Sequence, residues 1–282
     1  MHGLGNDFIL INCLQSECNR IGSADLPTLA QTLCHRRFGI GADQLLVLYP
    51  SHVAEFRMGI FNADGSEVEM CGNGIRCLAK YIWDRSLSEK RTIQVETPAG
   101  IIRPERVNGL IRVDMGEPIL EPEKIPVDTR QQPGVKNSKP IVDYPLQTGD
   151  REFRITCVSM GNPHAVIVAN NLSEFPVAYY GPAIEHHVLF PKRTNVEFIE
   201  VLNRSEIRMR VWERGAGETM ACGTGACAAA VAAHLQGLTK RNVTIHLNGG
   251  DLLIDWNKDS HVYMTGPAVE VFTGAIDLDS FV

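Results

Sequence analysis

The residues FRMGIFNAD, 56–64, alternate apolar and polar side chains, and IRMRVWER, 207–214, do so again. A period of two marks a strand with one buried face. Past each of these strands the period changes. Ile75, Leu78, Ala79, Ile82 and Trp83 share one face of a 3.6-residue helix, and so do Ala226, Ala229, Ala230 and Ala233. The second helix is small and apolar nearly all round, which predicts burial on most sides, a helix wrapped by strands.

The two patterns are copies. Residues 56–79, FRMGIFNADGSEVEMCGNGIRCLA, fall without a gap on residues 207–230, IRMRVWERGAGETMACGTGACAAA, at an offset of 151. The match aligns Arg57 with Arg208, Met58 with Met209, Glu67 with Glu218, Cys71 with Cys222, and Gly72 and Gly74 with Gly223 and Gly225. Outside that block GLGNDFILI answers SMGNPHAVIV, TIQVETPAG answers TIHLNGG, and VDMGEP answers VYMTGP. Two similar α+β domains are expected. The Pro- and charge-rich EPEKIPVDTRQQPGVKNSKP sits between the copies as the crossing, and the alternating tail VEVFTGAIDLDSFV is expected to return as a strand of the first domain. The halves then span 1–117 with 267–282, and 118–266.

The 282 residues can bury roughly three quarters of their unfolded surface without staples. With 44% hydrophobic and 21% charged residues the composition is that of an ordinary soluble protein. No apolar run is long enough for a membrane helix and no secretory signal opens the chain, so a cytoplasmic location is expected. A net charge of −6 disfavours nucleic-acid binding. The eight cysteines, Cys13, Cys18, Cys34, Cys71, Cys77, Cys157, Cys222 and Cys227, contain no CxxC pair. Most are expected to be reduced core residues. Neither they nor the adjacent His186 and His187 are assigned a metal.

Cys71 and Cys222 stand apart because each precedes a helix and is followed by glycine. At a helix N-terminus unpaired N–H groups and aligned peptide dipoles favour negative charge, so a thiolate there is expected below the usual ~8.5. Bare glycine amides also admit a carboxylate. Two such helix starts facing one cleft would let amides of Gly72, Asn73, Gly223 and Thr224 hold an acid group. One sulfur would remove an α-proton and the other deliver a proton from the opposite side. Ionising one thiol makes the second harder to ionise, so the pair is expected to share a single negative charge. No lysine stands out as a Schiff-base partner, so no cofactor is expected.

The segments HGLGNDFILIN, FGIGADQLL, IFNADGSEVEMCGNGIRC, VSMGNPH, RTNVEFIEV, RVWERGAGETMACGTGACA and YMTGPA resemble the diaminopimelate epimerase family over nearly the whole chain. The resemblance implies a cofactor-independent isomerase of lysine biosynthesis that interconverts LL- and meso-2,6-diaminopimelate. It implies two pseudo-symmetric domains, each an antiparallel-rich β barrel around a central α-helix, and a homodimer. Cys71 and Cys222 match the catalytic base and acid, exchanging roles with the substrate enantiomer, while His164 and Glu213 match positions that assist them. Asn6, Gln44, Asn62, Gly72, Asn73, Asn162, Asn195, Glu213, Arg214, Gly223 and Thr224 match substrate-binding positions. Two departures stand out: the chain starts at the MHGLGND motif, so either a short first strand or a trimmed start is expected, and Phe272 stands where some relatives carry a tyrosine linked to dimer contacts.

Three other readings remain open on sequence. Proline racemase and hydroxyproline epimerase share the cysteine pair. Cys71 with Arg76 hints at the phosphate loop of a thiol phosphatase, one residue short of its usual spacing. A redox-sensing binding protein could bring the two thiols together as a disulfide.

Overall fold

The alternating segments are strands and the segments behind the cysteines are helices in the computed structural model, which describes residues 1–14, 25–128 and 140–276. The chain is α+β and divides into two units, Met1–Val113 with Gly266–Val282, and Asp114–Thr265.

The first unit runs β1 (His2–Gly3), β2 (Asn6–Asn12), α1 (Leu26–Cys34), β3 (Gln44–Tyr49), β4 (Phe56–Asn62), α2 (Gly72–Asp84), β5 (Val95–Thr97) and β6 (Gly100–Ile102), then the hairpin β7 (Glu105–Val107) and β8 (Leu110–Asp114). Strands β1 to β6 form one sheet in chain order. The second unit contains β9 (Tyr144–Thr148), β10 (Arg151–Ser159), β11 (Pro163–Val168), α3 (Val177–Glu185), β12 (Asn195–Asn203), β13 (Glu206–Glu213), β14 (Gly217–Thr219), α4 (Gly223–Leu235), β15 (Asn242–Leu247), β16 (Gly250–Trp256) and β17 (Val262–Gly266). Its sheet runs from β9 through β13 to β15, β16 and β17, with β14 beside β13.

The copies fold alike. β2 is parallel to β3 and β4 to β5, as β11 is to β12 and β13 to β15, and the intervening pairs β3–β4 and β12–β13 are antiparallel. Each parallel pair needs a crossover, and a helix supplies it: α1 and α2 in one unit, α3 and α4 in the other. Both ends of α2 and α4 keep the 151-residue offset. Helix α2 packs on β1 to β4 through its Ile75, Leu78, Ala79, Ile82 and Trp83 face. Helix α4 touches β10 to β13, β15 and β16, and every residue from Ala226 to Ala233 is buried, because alanine lets strands approach from all sides.

Strand registers align the polar residues along one rim of each sheet. Asn6 and Gln44 start β2 and β3, and Asn62 ends β4 directly opposite Gln44. Asn162 precedes β11, Asn195 starts β12 beside His164, and Glu213 ends β13. Gly5 and Gly161, at φ 87° and 94°, make the turns that present Asn6 and Asn162, a left-handed conformation that suits glycine.

The described part of the tail, 269–276, departs from expectation. Through residue 276 it makes one bridge, His2 to Val269, and no strand. The two-residue β1 offers too short an edge to template more. The crossing between the copies is described only in part, since residues 129–139 lie outside the described residues, as do Cys18 and residues 277–282. Among the described residues no helix is long and apolar enough to cross a membrane.

Cys34, Cys77 and Cys157 are buried, and burial pushes each thiol upward, Cys34 to about 11 and Cys77 to about 12. The unfolded Cys77 thiol ionises near 9.0 while the folded one keeps its proton to about 12. The unfolded state therefore binds fewer protons, and stability falls as pH rises through that window. Cys77→Ala is expected to flatten the alkaline loss of unfolding free energy by up to about 1.4 kcal/mol per pH unit above pH 9, read from urea midpoints at pH 8 to 10.5.

Candidate active site

In the first unit Cys71 is the N-cap of α2, with extended backbone, and its sulfur accepts the Gly74 N–H at 3.4 Å. Its thiol lies 3.8 Å from Asn6 Oδ1, which also accepts from Asn73 Nδ2 at 3.3 Å. Asn6 Nδ2 donates to Asp43 at 2.9 Å, and Arg36 clamps Asp43 and Asp7 together at 2.7 and 2.8 Å. Burial raises the Asp7 carboxyl, but the Arg36 guanidinium and the Asp43 amide outweigh it and hold Asp7 below the carboxylate range. Separately, Gln44 Nε2 donates to Asn62 Oδ1 at 2.8 Å, leaving Gln44 Oε1 buried with no hydrogen-bond partner in the protein. That oxygen suits an incoming ammonium.

Arg76 is wholly buried. It donates to Gly72 O at 3.1 Å, Asn73 Oδ1 at 2.8 Å and Pro267 O at 3.2 Å, so its guanidinium holds the Cys71 turn from behind. A phosphatase would need those donors aimed at a phosphate.

In the second unit Cys222 is the N-cap of α4 and its sulfur accepts the Gly225 N–H at 3.4 Å. Thr224 Oγ1 lies 3.5 Å from the sulfur. Glu213 accepts from the Thr219 hydroxyl and from the Cys222 thiol. Asn162 Nδ2 donates to Thr224 Oγ1 at 3.3 Å, and its Oδ1 lies 2.9 Å from His164 Nε2. Asn195 Oδ1 accepts the Arg214 N–H at 2.9 Å, tying the end of β13 to the start of β12. Gly72, Asn73, Gly223 and Thr224 carry the first N–H groups of their helices, which no helical carbonyl reaches.

For Cys222 the expectation of a lowered pKa is corrected. Burial, then the Glu213 and Glu197 carboxylates, push its thiol well above the usual range, outweighing the hydrogen bonds from Thr224 and Gly225. Glu213 is itself raised, first by burial and then by Glu197, against the bonds from Thr219 and Cys222. Two carboxylates next to a buried sulfur cost a thiolate more than one helix terminus returns. Its surroundings favour the thiol over the thiolate.

Sequence reading missed Glu197. It is fully buried on β12, with Oε1 2.7 Å from His164 Nδ1. The one signal, an acidic residue between Val196 and Phe198, is repeated by Glu200 between Ile199 and Val201 and so does not single Glu197 out. A Cβ on Gly225 would lie 2.7 Å from that Oε1, whereas one on the equivalent Gly74 would meet Leu46 Cδ2 at 3.2 Å. Alanine in a helix is ordinarily favoured over glycine by about 1 kcal/mol. Gly225→Ala is nevertheless expected to cost about 1–3 kcal/mol in unfolding free energy through overpacking against a buried carboxylate. Gly74→Ala should cost less, since a leucine methyl can shift; thermal denaturation of the two variants makes the comparison.

A family model described as Diaminopimelate epimerase matches residues 1–121 and 156–271. The chain is 57% identical over 286 residues to the diaminopimelate epimerase of Moorella thermoacetica, with 99% of this chain and 98% of that protein covered. It is 50% identical to that of Acetivibrio thermocellus, with the same coverage. Among solved structures, a hydroxyproline epimerase from Agrobacterium vitis with bound trans-4-hydroxy-L-proline superposes with a TM-score of 0.65 at 14% identity, covering 94% of this chain and 86% of that one. A phenazine biosynthesis protein of the PhzF family from Bacillus anthracis gives 0.63 at 17%, covering 94% and 91%. At such identities these structures establish a shared fold.

Proposed function

The chain belongs to the diaminopimelate epimerase family, isomerases that act on a small amino-acid substrate, and from that premise we propose that Cys71 and Cys222 are its two proton-transfer groups. The observation that carries the assignment is the duplicated cap: in each unit a cysteine sulfur closes the first turn of a helix and accepts the N–H three residues on. One sulfur, as thiolate, takes the α-proton of LL-diaminopimelate. The C–H electron pair passes into the substrate carboxylate, where helix-start amides of Gly72, Asn73, Gly223 and Thr224 stabilise the charge. The other sulfur, as thiol, returns a proton to the opposite face, and configuration inverts. The sulfurs have then exchanged protonation states, ready for the reverse reaction with meso substrate. In the direction from LL to meso or back, Cys222 is the donor in whichever half-cycle starts from its thiol.

Glu213 assists by accepting the Cys222 S–H, and His164 by ordering Asn162. Asn6, Gln44, Asn62, Asn162, Asn195 and Arg214 bind the substrate, with the orphan Gln44 oxygen taking an ammonium and Arg214 a carboxylate. Proline-type substrates lack the distal ammonium and carboxylate that these groups would read. A homodimer in the cytoplasm is the assembly proposed; the exposed run Val269, Val271 and Phe272 offers an apolar surface for it.

Incubation with LL-diaminopimelate in heavy water tests the whole reading. Meso product carrying one deuterium at the inverted α-carbon is expected. Turnover of L-proline with none of diaminopimelate would overturn it.

A further inference from the structure

We propose that Glu197 is a positioning residue of this reaction, one that acts through His164, Asn162 and Thr224 to set the direction of hydrogen bonding at the Cys222 sulfur. The proposal rests on the epimerase reading above and adds to it residues in one connected chain within the second unit.

The chain can be followed proton by proton. Asn162 is held at both ends, its Nδ2 giving to Thr224 Oγ1 at 3.3 Å and its Oδ1 facing His164 Nε2 at 2.9 Å. An amide oxygen cannot donate, so Nε2 carries a hydrogen. The proton on the other side of the ring then lies between His164 Nδ1 and Glu197 Oε1, 2.7 Å apart. At the far end, Thr224 already receives a hydrogen bond from Asn162, which leaves its own hydroxyl hydrogen free to point at Cys222 Sγ, 3.5 Å away. Together with the Gly225 N–H, that gives the sulfur two donors when it is a thiolate. If Asn162 were turned end for end, its Oδ1 would claim the Thr224 hydrogen and the sulfur would lose a donor.

A purely structural role explains Glu197 poorly. An apolar side chain would fill a buried strand position without the cost of a carboxylate. Here Oε2 is buried with no hydrogen-bond partner, and position 225 must be glycine to make room for Oε1. The cost is borne where the carboxylate meets the imidazole.

The test uses the full chain and the variants Glu197→Gln, Thr224→Val, Thr224→Ser and the double Glu197→Gln/Thr224→Val. Steady-state kinetics are run with LL- and meso-diaminopimelate across pH, and histidine-labelled protein is examined by nitrogen-15 NMR. Glu197→Gln and Thr224→Val are each expected to lower kcat about 10- to 100-fold, the effect of about 1.4–2.7 kcal/mol of lost transition-state hydrogen bonding at the sulfur. KM should stay within about twofold, since the loss is in the transition state. Thr224→Ser, which keeps the hydroxyl, should restore turnover. The double variant should lose no more than the worse single, because both act on one chain. The His164 Nε2–H resonance should be present in the parent protein and change in Glu197→Gln. Parental kcat in Glu197→Gln, multiplying losses in the double variant, or absence of Nε2–H in the parent protein would each overturn the proposal. A parent protein that exchanges no α-hydrogen of diaminopimelate fails the epimerase reading instead, and the NMR result still stands on its own. Should Glu197→Gln not fold, the Thr224 pair and the parent spectrum still decide.

Discussion

Cys71→Ala and Cys222→Ala are each expected to lower epimerase turnover by about 10²- to 10⁴-fold, the range for loss of a general acid or base. That corresponds to about 3–5 kcal/mol on the barrier. Both directions of the reaction should fall together, because in the proposed mechanism every turnover uses one sulfur to take a proton and the other to give one. The remaining thiol still serves one side of the carbon, so slow exchange of an α-hydrogen without inversion is the expected residue of activity, seen by proton NMR in heavy water. The fold should survive: each sulfur caps one N–H, and losing such a cap costs about 0.5–2 kcal/mol. Near-parental kcat in either folded variant would sink the two-thiol assignment.

Arg76→Leu is expected to be the most damaging change to stability, lowering unfolding free energy by about 3–5 kcal/mol, because buried acceptors lose their donor. The side chain is wholly buried, and its loss strands Gly72 O, Asn73 Oδ1 and Pro267 O, each acceptor costing about 1–3 kcal/mol when left unpaired. Leucine returns part of this through apolar packing. Activity should fall further than stability alone explains, because Asn73 holds Asn6 beside the Cys71 thiol. Lysine cannot replace the planar fork that reaches three acceptors at once, so Arg76→Lys should resemble Arg76→Leu. Urea denaturation gives the first quantity, and kcat per folded molecule the second; a variant with parental stability would show that the three bonds contribute little.

Arg76 also illustrates how a sequence can mislead. Five residues after Cys71 it reads as part of an anion loop, yet its donors face the back of the turn. The linear spacing of Cys and Arg says nothing about which side of the helix start the long side chain takes. Glu197 went unnoticed for a related reason: in RTNVEFIEV an alternating pattern assigns Glu197 and Glu200 no special place, and only burial separates the first from the second, which pairs with Arg208. The raised pKa of Cys222 is not legible in the sequence, because the helix terminus is visible there whereas the charges of Glu213 and Glu197 come to act on the sulfur only after β12 and β13 are laid side by side.

The periods of two and 3.6, the 151-residue echo and the paired Cys-Gly turns were enough to determine the strands, the buried helix α4, the duplicated α+β plan and the two sulfurs, because each depends on residues near one another in the chain. Which side chains meet around those helix starts was decided by strand register and burial: Gln44 opposite Asn62, His164 against Glu197, and, at the sulfur itself, Glu213 against Cys222. Contacts of that kind join residues far apart in sequence, and their charges acquire their energies only in the low-dielectric interior that folding creates.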